Sequence, residues 1–177
     1  MRCEGQSEGE ERARAGQVGA GVRFAGYAAL FDREDRGGDI IRKGAFARAI
    51  AQWRGRRVPL LWQHRPDRPI GMIESMAEDA RGLRVIGRVA ASGGGLGRAH
   101  GGGQVHCGGG DAVVREAAAL LKAGRVNGLS FGYRVTRAEG RAPRVLRELD
   151  LIEVSVVSFP MQPGARVHAV EGLPPPA

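Results

Sequence analysis

The sequence predicts a mixed, strand-dominated α+β domain, and three observations carry that expectation. Large apolar side chains alternate along several short runs, only two segments repeat them at helical spacing, and glycine and proline punctuate the intervals. At 177 residues the chain is long enough for one domain with a real core. Hydrophobic residues at 42% and charged residues at 26% fit an ordinary globular protein, but 5% aromatics and 29 glycines place part of the length outside any packed interior.

Residues 1–20 are polar, charged and glycine-containing, which predicts a disordered arm. From Val22 to Phe31 the pattern reads as a strand with a glycine-permitted bulge, ending in the polar loop 32–39. Phe46, Ala49, Ile50 and Trp53 then recur at helical spacing and predict a short amphipathic helix within 43–53. Residues 58–64 read as a strand that delivers His64 into the proline-bounded loop 65–69. Segments 70–76 and 82–89 form two strands around the turn 78–82, most simply a hairpin. Ten glycines within residues 93–110 give that tract a backbone entropy no packed element recovers, so it reads as a surface loop. Asp111 is placed to cap a helix over 112–123, whose apolar face is Val113, Ala117, Leu120 and Leu121 and whose stop is Gly124. Residues 125–135 and 144–157 are further strands, the second long and strongly apolar. Pro160, Pro163 and Gly164 then end the ordered part, leaving one domain over 21–167 and a tail over 168–177. The sum is six or so strands with two helices.

Net charge is +8, from 27 basic and 19 acidic residues, and only Lys43 and Lys122 among the bases are lysines. Such a balance attracts nucleic acid, anionic membranes or acidic proteins without choosing among them. Acids interrupt the arginines and few aromatics lie between them, so no stacking platform for single strands is present. A solvated arginine surface is the simpler reading. Cys3 and Cys107 cannot build a disulfide framework, and a reducing compartment follows. The opening segment lacks an apolar h-region and no stretch has the length of a membrane span, so neither a signal peptide nor a transmembrane helix is expected.

A serine nucleophile needs a base within hydrogen-bond reach and a third group to orient that base. Gly128-Leu129-Ser130-Phe131-Gly132 places Ser130 between two glycines on a predicted strand. No helix follows, so this is not the hydrolase nucleophile elbow, and a tight backbone crossing explains the glycines equally well. His64 ends a core strand, whereas His100 and His106 lie in the glycine tract and His168 in the tail, which makes His64 the favoured base. Glu153 sits in the apolar run 151–157, where an unpaired carboxylate would cost several kcal/mol, so it wants a partner. By strand alternation Asp150 points to the opposite face and is the second choice. His100, His106 and Cys107 match no zinc spacing and lack a fourth ligand. There is no P-loop, dinucleotide fingerprint or H-E-x-x-H helix, so no metal or cofactor is expected.

Taken together and in order, Gly26 to Phe31, Gly38-Asp39-Ile40-Ile41, Lys43-Gly44-Ala45-Phe46, Leu60-Leu61-Trp62-Gln63-His64 and Pro69-Ile70-Gly71 resemble the prohead proteases of tailed bacteriophages and gene transfer agents. So do Leu120 to Gly124, Gly128 to Tyr133 and Leu149 to Val157 followed by Pro160. The resemblance spans residues 21–167. It implies a serine endopeptidase distantly similar to herpesvirus assemblins, on a mostly antiparallel β-barrel with peripheral helices. The family's nucleophile falls on Ser130, its base on His64 and its acidic third member on Glu153, with Asp150 close by. It further implies action inside the procapsid, in the bacterial cytoplasm, on scaffold, on an N-terminal segment of the major capsid protein and on itself; self-association as a homo-oligomer stays open. Two departures stand out, the glycine tract 93–110 and Pro160-Met161-Gln162-Pro163 in place of Pro-Ala-Asn-Pro.

Two other functions fit parts of the sequence. A noncatalytic basic scaffold or nucleic-acid-binding capsid-assembly protein would bind DNA with steep salt dependence and be indifferent to Ser130→Ala. A serine hydrolase of small esters would lose to ester competitors rather than to peptides. Only the peptidase uses His64, Ser130 and Glu153 together.

Overall fold

The computed structural model describes residues 21–91 and 110–171. The predicted arm with Cys3, most of the glycine tract with His100, His106 and Cys107, and the end of the predicted tail lie outside them.

Eight strands form one curled sheet: β1 (Val22–Leu30), β2 (Asp39–Ile41), β3 (Val58–Trp62), β4 (Arg65–Glu78), β5 (Gly82–Val89), β6 (Gly128–Glu139), β7 (Arg144–Val157) and β8 (Val167–Val170). Among the described residues two helices accompany it, α1 (Ala47–Gln52) and α2 (Gly110–Lys122). The sheet order is β2-β7-β3-β4-β5-β1-β8, with β6 also paired to β7. Backbone bonds from Leu129 N to Ala165 O and from Val167 N to Asn127 O then tie the start of β6 to the chain entering β8. The expected antiparallel character holds for most pairings, but β2 and β3 both run parallel to β7. Nor are the helices merely peripheral. Phe46 and Ala49 beside and within α1, and Val114, Ala117 and Leu121 of α2, are buried in the one hydrophobic core with Phe24, Leu60, Leu83, Leu129, Leu149 and Val154.

The β4–β5 hairpin forms as its alternation predicts, closed by Asp79, whose Oδ1 accepts the Arg81 and Gly82 amides. The β1 bulge also forms, between Tyr27 and Ala29. Helix α2 stops in a Schellman arrangement at Gly124 (φ 65°), with Gly124 N bonded to Leu121 O and Arg125 N to Leu120 O. Asp111 lies within its first turn rather than capping it from outside, where the carboxylate still favours the helix dipole.

Several boundaries differ from expectation. The proline-bounded loop 65–69 is the start of β4: Arg65 pairs with Trp62 and Pro69 with Leu61, and only residues 66–68 loop out. The predicted tail contains β8, so His168 is part of the sheet, packed edge-on against Tyr27. The loop after β7 is fixed by Gln162, a buried side chain that accepts the Leu30 amide and donates to the Leu30 and Arg33 carbonyls, doing the work of a missing strand. A minority of the described arginines pair with acids. Arg23 and Arg88 face each other across β1 and β5, a repulsive cross-strand pair that Glu74 bridges at 2.7 and 2.6 Å. Both guanidiniums hold the Glu74 carboxyl below its ordinary range.

Candidate active site

Parallel pairing sets β3 beside the end of β7, Leu60 opposite Val154, Leu61 opposite Ser155 and Trp62 opposite Val156. The chain then reverses into β4 through two residues, Gln63 (φ 53°) and His64 (φ 58°). Positive φ at both central positions is the geometry of a type I′ turn, which normally selects Asn-Gly; two ordinary side chains there must be held by their surroundings. They are. Gln63 N donates to Val156 O, its side-chain amide exchanges two hydrogen bonds with Ser158, and His64 N donates to Ser155 Oγ at 3.2 Å. Every one of these anchors lies on or just beyond the C-terminal end of β7.

The turn brings the His64 ring to Glu153, with Nδ1 2.6 Å from Oε1. The carboxylate is nearly buried, its side chain 9% exposed, whereas the His64 side chain is 42% exposed. A carboxylate accepts hydrogen bonds, so this contact suits Nδ1 as donor, and in a neutral imidazole of that tautomer Nε2 keeps its lone pair. Ser155 Oγ donates to the other oxygen, Oε2, at 2.6 Å. The Glu153 carboxylate thus has a partner on each oxygen, which answers the cost of placing it in an apolar run.

Ser130 reaches the same place from β6. In the antiparallel β6–β7 pair Ser130 lies opposite Ser155 and Gly132 opposite Glu153, so Ser130, Ser155 and Glu153 share one face while Leu129, Phe131, Val154 and Val156 occupy the other. Directly opposed Cβ atoms in such a pair stand about 5 Å apart. Ser130 is 5% exposed, and among the described residues its hydroxyl forms no hydrogen bond with the His64 ring. The glycines flanking it make room rather than supply unusual backbone angles. A Cβ on Gly132 would lie 2.7 Å from Glu153 Oε1, and one on Gly128 would lie 2.5 Å from Val157 O and 2.9 Å from the Pro160 ring.

Asp150 goes elsewhere. Arg48 of α1 lies 3.1 Å from its Oδ1 and also pairs with Glu148. Strict alternation is not what separates it from Glu153, because Ile152 is an extra residue that interrupts the β6–β7 register between Glu153 and Leu151. His168 lies by Tyr27 on β1, where burial and then Arg81 push its ring below the usual histidine range. The sequence reading missed Ser155 and Gln63. A serine two residues beyond a strand glutamate shares its face, and that spacing was the available signal for Ser155.

The profile of caudovirus prohead serine proteases matches residues 8–95 and 104–172. The chain is 30% identical over 155 residues to the prohead protease of Enterobacteria phage HK97, covering 85% of this chain and 60% of that protein, so it spans a little over half of that relative's length. Its fold resembles the bacteriophage T4 capsid assembly protease (TM-score 0.56, 16% identity, 79% of this chain and 84% of that one). It also resembles varicella-zoster virus protease (TM-score 0.50, 20% identity, 83% and 63%). With both halves of the chain matched and the fold in agreement, this protein belongs to the caudovirus prohead serine protease family.

Proposed function

We propose that this chain is a serine endopeptidase of head maturation, with Ser130 as nucleophile, His64 as general base and Glu153 as the group that orients His64. The observation that carries the reading is the 2.6 Å contact between His64 Nδ1 and a carboxylate on the strand face that also bears Ser130. Family membership supports it independently. In the first step Ser130 Oγ attacks the carbonyl carbon of a peptide bond while His64 Nε2 takes the hydroxyl proton. The imidazolium so formed is stabilised by Glu153 and returns the proton to the departing amine as the C–N bond breaks. Water, deprotonated by the same nitrogen, then hydrolyses the acyl ester and restores Ser130. Hydrogen-bond donors at the developing oxyanion supply much of the acceleration.

The substrates proposed are the scaffold, an N-terminal segment of the major capsid protein and the protease's own arm, cleaved inside the procapsid of a phage or gene transfer agent. Enclosure in a shell raises effective substrate concentration, so a site of low intrinsic activity suffices there and stays quiet in the dilute cytosol. Among the described residues no helix is long and apolar enough to cross a membrane. The test is Ser130→Ala in particles: the capsid protein should stay full length by mass spectrometry of its termini. Normal processing would reject the assignment, and steeply salt-dependent DNA binding in its place would favour the scaffold reading.

A further inference from the structure

We propose that Ser155 is a positioning residue for the His64–Glu153 pair, an inference that rests on the peptidase reading above. Its hydroxyl has one proton and two lone pairs, and both kinds of site are used. The proton goes to Glu153 Oε2 at 2.6 Å, and a lone pair accepts the His64 backbone amide at 3.2 Å. Glu153 Oε1 meets the ring of that same histidine at 2.6 Å. The result is a closed circuit in which one residue, His64, is gripped by its main chain and by its ring, and the two grips are joined through the Ser155–Glu153 bond.

The circuit fixes two freedoms that a dyad alone leaves open. A glutamate can swing its carboxylate about its last torsion, a broad and nearly two-fold rotation. With Oε2 occupied by Ser155, only Oε1 faces the ring. The two-residue turn can also tilt the whole imidazole, since its left-handed backbone is intrinsically disfavoured for ordinary residues. The His64 amide bonded to Ser155 stops that tilt, and it does so from the strand position directly opposite Ser130. The geometry of base and nucleophile is therefore referenced to one side chain that touches neither substrate nor the transferred proton. Ser155 is fully buried, so its bond to Glu153 is shielded from competing water.

The experiment compares the full chain as wild type, Ser155→Ala, Ser155→Thr and Ser130→Ala. Two readouts are taken: the rate at which an aryl fluorophosphonate modifies Ser130, and the ¹H–¹⁵N signal of the His64 Nδ1 proton, assigned by its loss in His64→Gln. Misplacing a reacting group by about 1 Å costs on the order of a hundredfold, so Ser155→Ala should slow modification by about tenfold or more. It should also move the Nδ1 proton upfield, with Ser155→Thr restoring both. Unchanged rate and unchanged signal in Ser155→Ala overturn the proposal. So does a slower rate that only tracks the folded fraction by circular dichroism while the signal of the folded molecules stays in place. Wild-type protein that escapes labelling at Ser130 sinks the peptidase reading instead, and the Nδ1 signal alone then decides for or against Ser155.

Discussion

Gly132 lies directly opposite Glu153, and the space where its side chain would begin is taken by the carboxylate: a Cβ there would stand 2.7 Å from Oε1 and 3.1 Å from Cγ. Gly132→Ala must push Glu153 away from His64, which swivels more easily than the strand backbone. The expected outcome is a loss of at least tenfold in peptidase rate with a stability cost of about 1–3 kcal/mol. Gly128→Ala meets the Val157 carbonyl and the Pro160 ring and should mainly lower the melting temperature. Paired rate and thermal-unfolding measurements separate the two.

Glu153→Gln keeps the shape but removes the charge that stabilises an imidazolium, and an amide nitrogen can present the wrong partner to Nδ1. By analogy with triads in general the rate should fall by roughly a thousandfold or more. Asp150→Asn changes the charge that faces Arg48 and touches neither His64 nor Ser130, so it should leave the rate within about twofold. Equal losses in both variants, read as kcat on one peptide, would contradict the assignment of Glu153.

Gln63→Gly removes the two-way hydrogen bonds to Ser158 while relieving a left-handed non-glycine conformation that costs about 1–2 kcal/mol. These effects oppose each other in stability but not in catalysis. We expect a melting temperature close to wild type and a rate several-fold lower. A rate unchanged across this substitution would mean that the clamp on Ser158 does not locate His64.

Asp39 is nearly buried and accepts hydrogen bonds from Arg144 Nε and Nη2 and from the Tyr133 hydroxyl, all at 2.7 Å. The Arg144 guanidinium, with Tyr133 assisting, holds its carboxyl below the usual aspartate range, and burial with the adjoining carboxylate pushes the Tyr133 phenol upward. Because the folded-state value is depressed, the stabilisation is fully present above the ordinary aspartate value of about 4 and fades as pH falls through the lower folded value. Asp39→Asn should therefore cost about 1–3 kcal/mol at pH 7 and flatten the acid side of the stability profile. Urea unfolding at neutral and acid pH checks this, and equal losses at both would argue against it.

Local pattern was enough where one element decides its own form. The 144–157 run became β7 over those same residues, and Gly124 ended its helix, because alternation and a left-handed stop are properties of the segment itself. What stayed hidden depends on partners far away in the chain. Segment 167–170 is too short to announce itself and is a strand only because β1 offers an edge. Parallel seating of β3 on β7 has no signature in either strand, so the anchoring of the His64 turn by Ser155 and Ser158 could not be anticipated. His64, Ser130 and Glu153 could be singled out by chemistry and by family resemblance, but alternation alone misjudged Asp150, because the extra residue Ile152 is visible only in the paired strands.

The rail on which His64 rests is the end of β7, some ninety residues downstream. A chain still emerging from the ribosome therefore carries the histidine and then the serine well before it has anything to hold them in register. His64 gains its anchors only once β7 has been made, an order of events set by the connectivity.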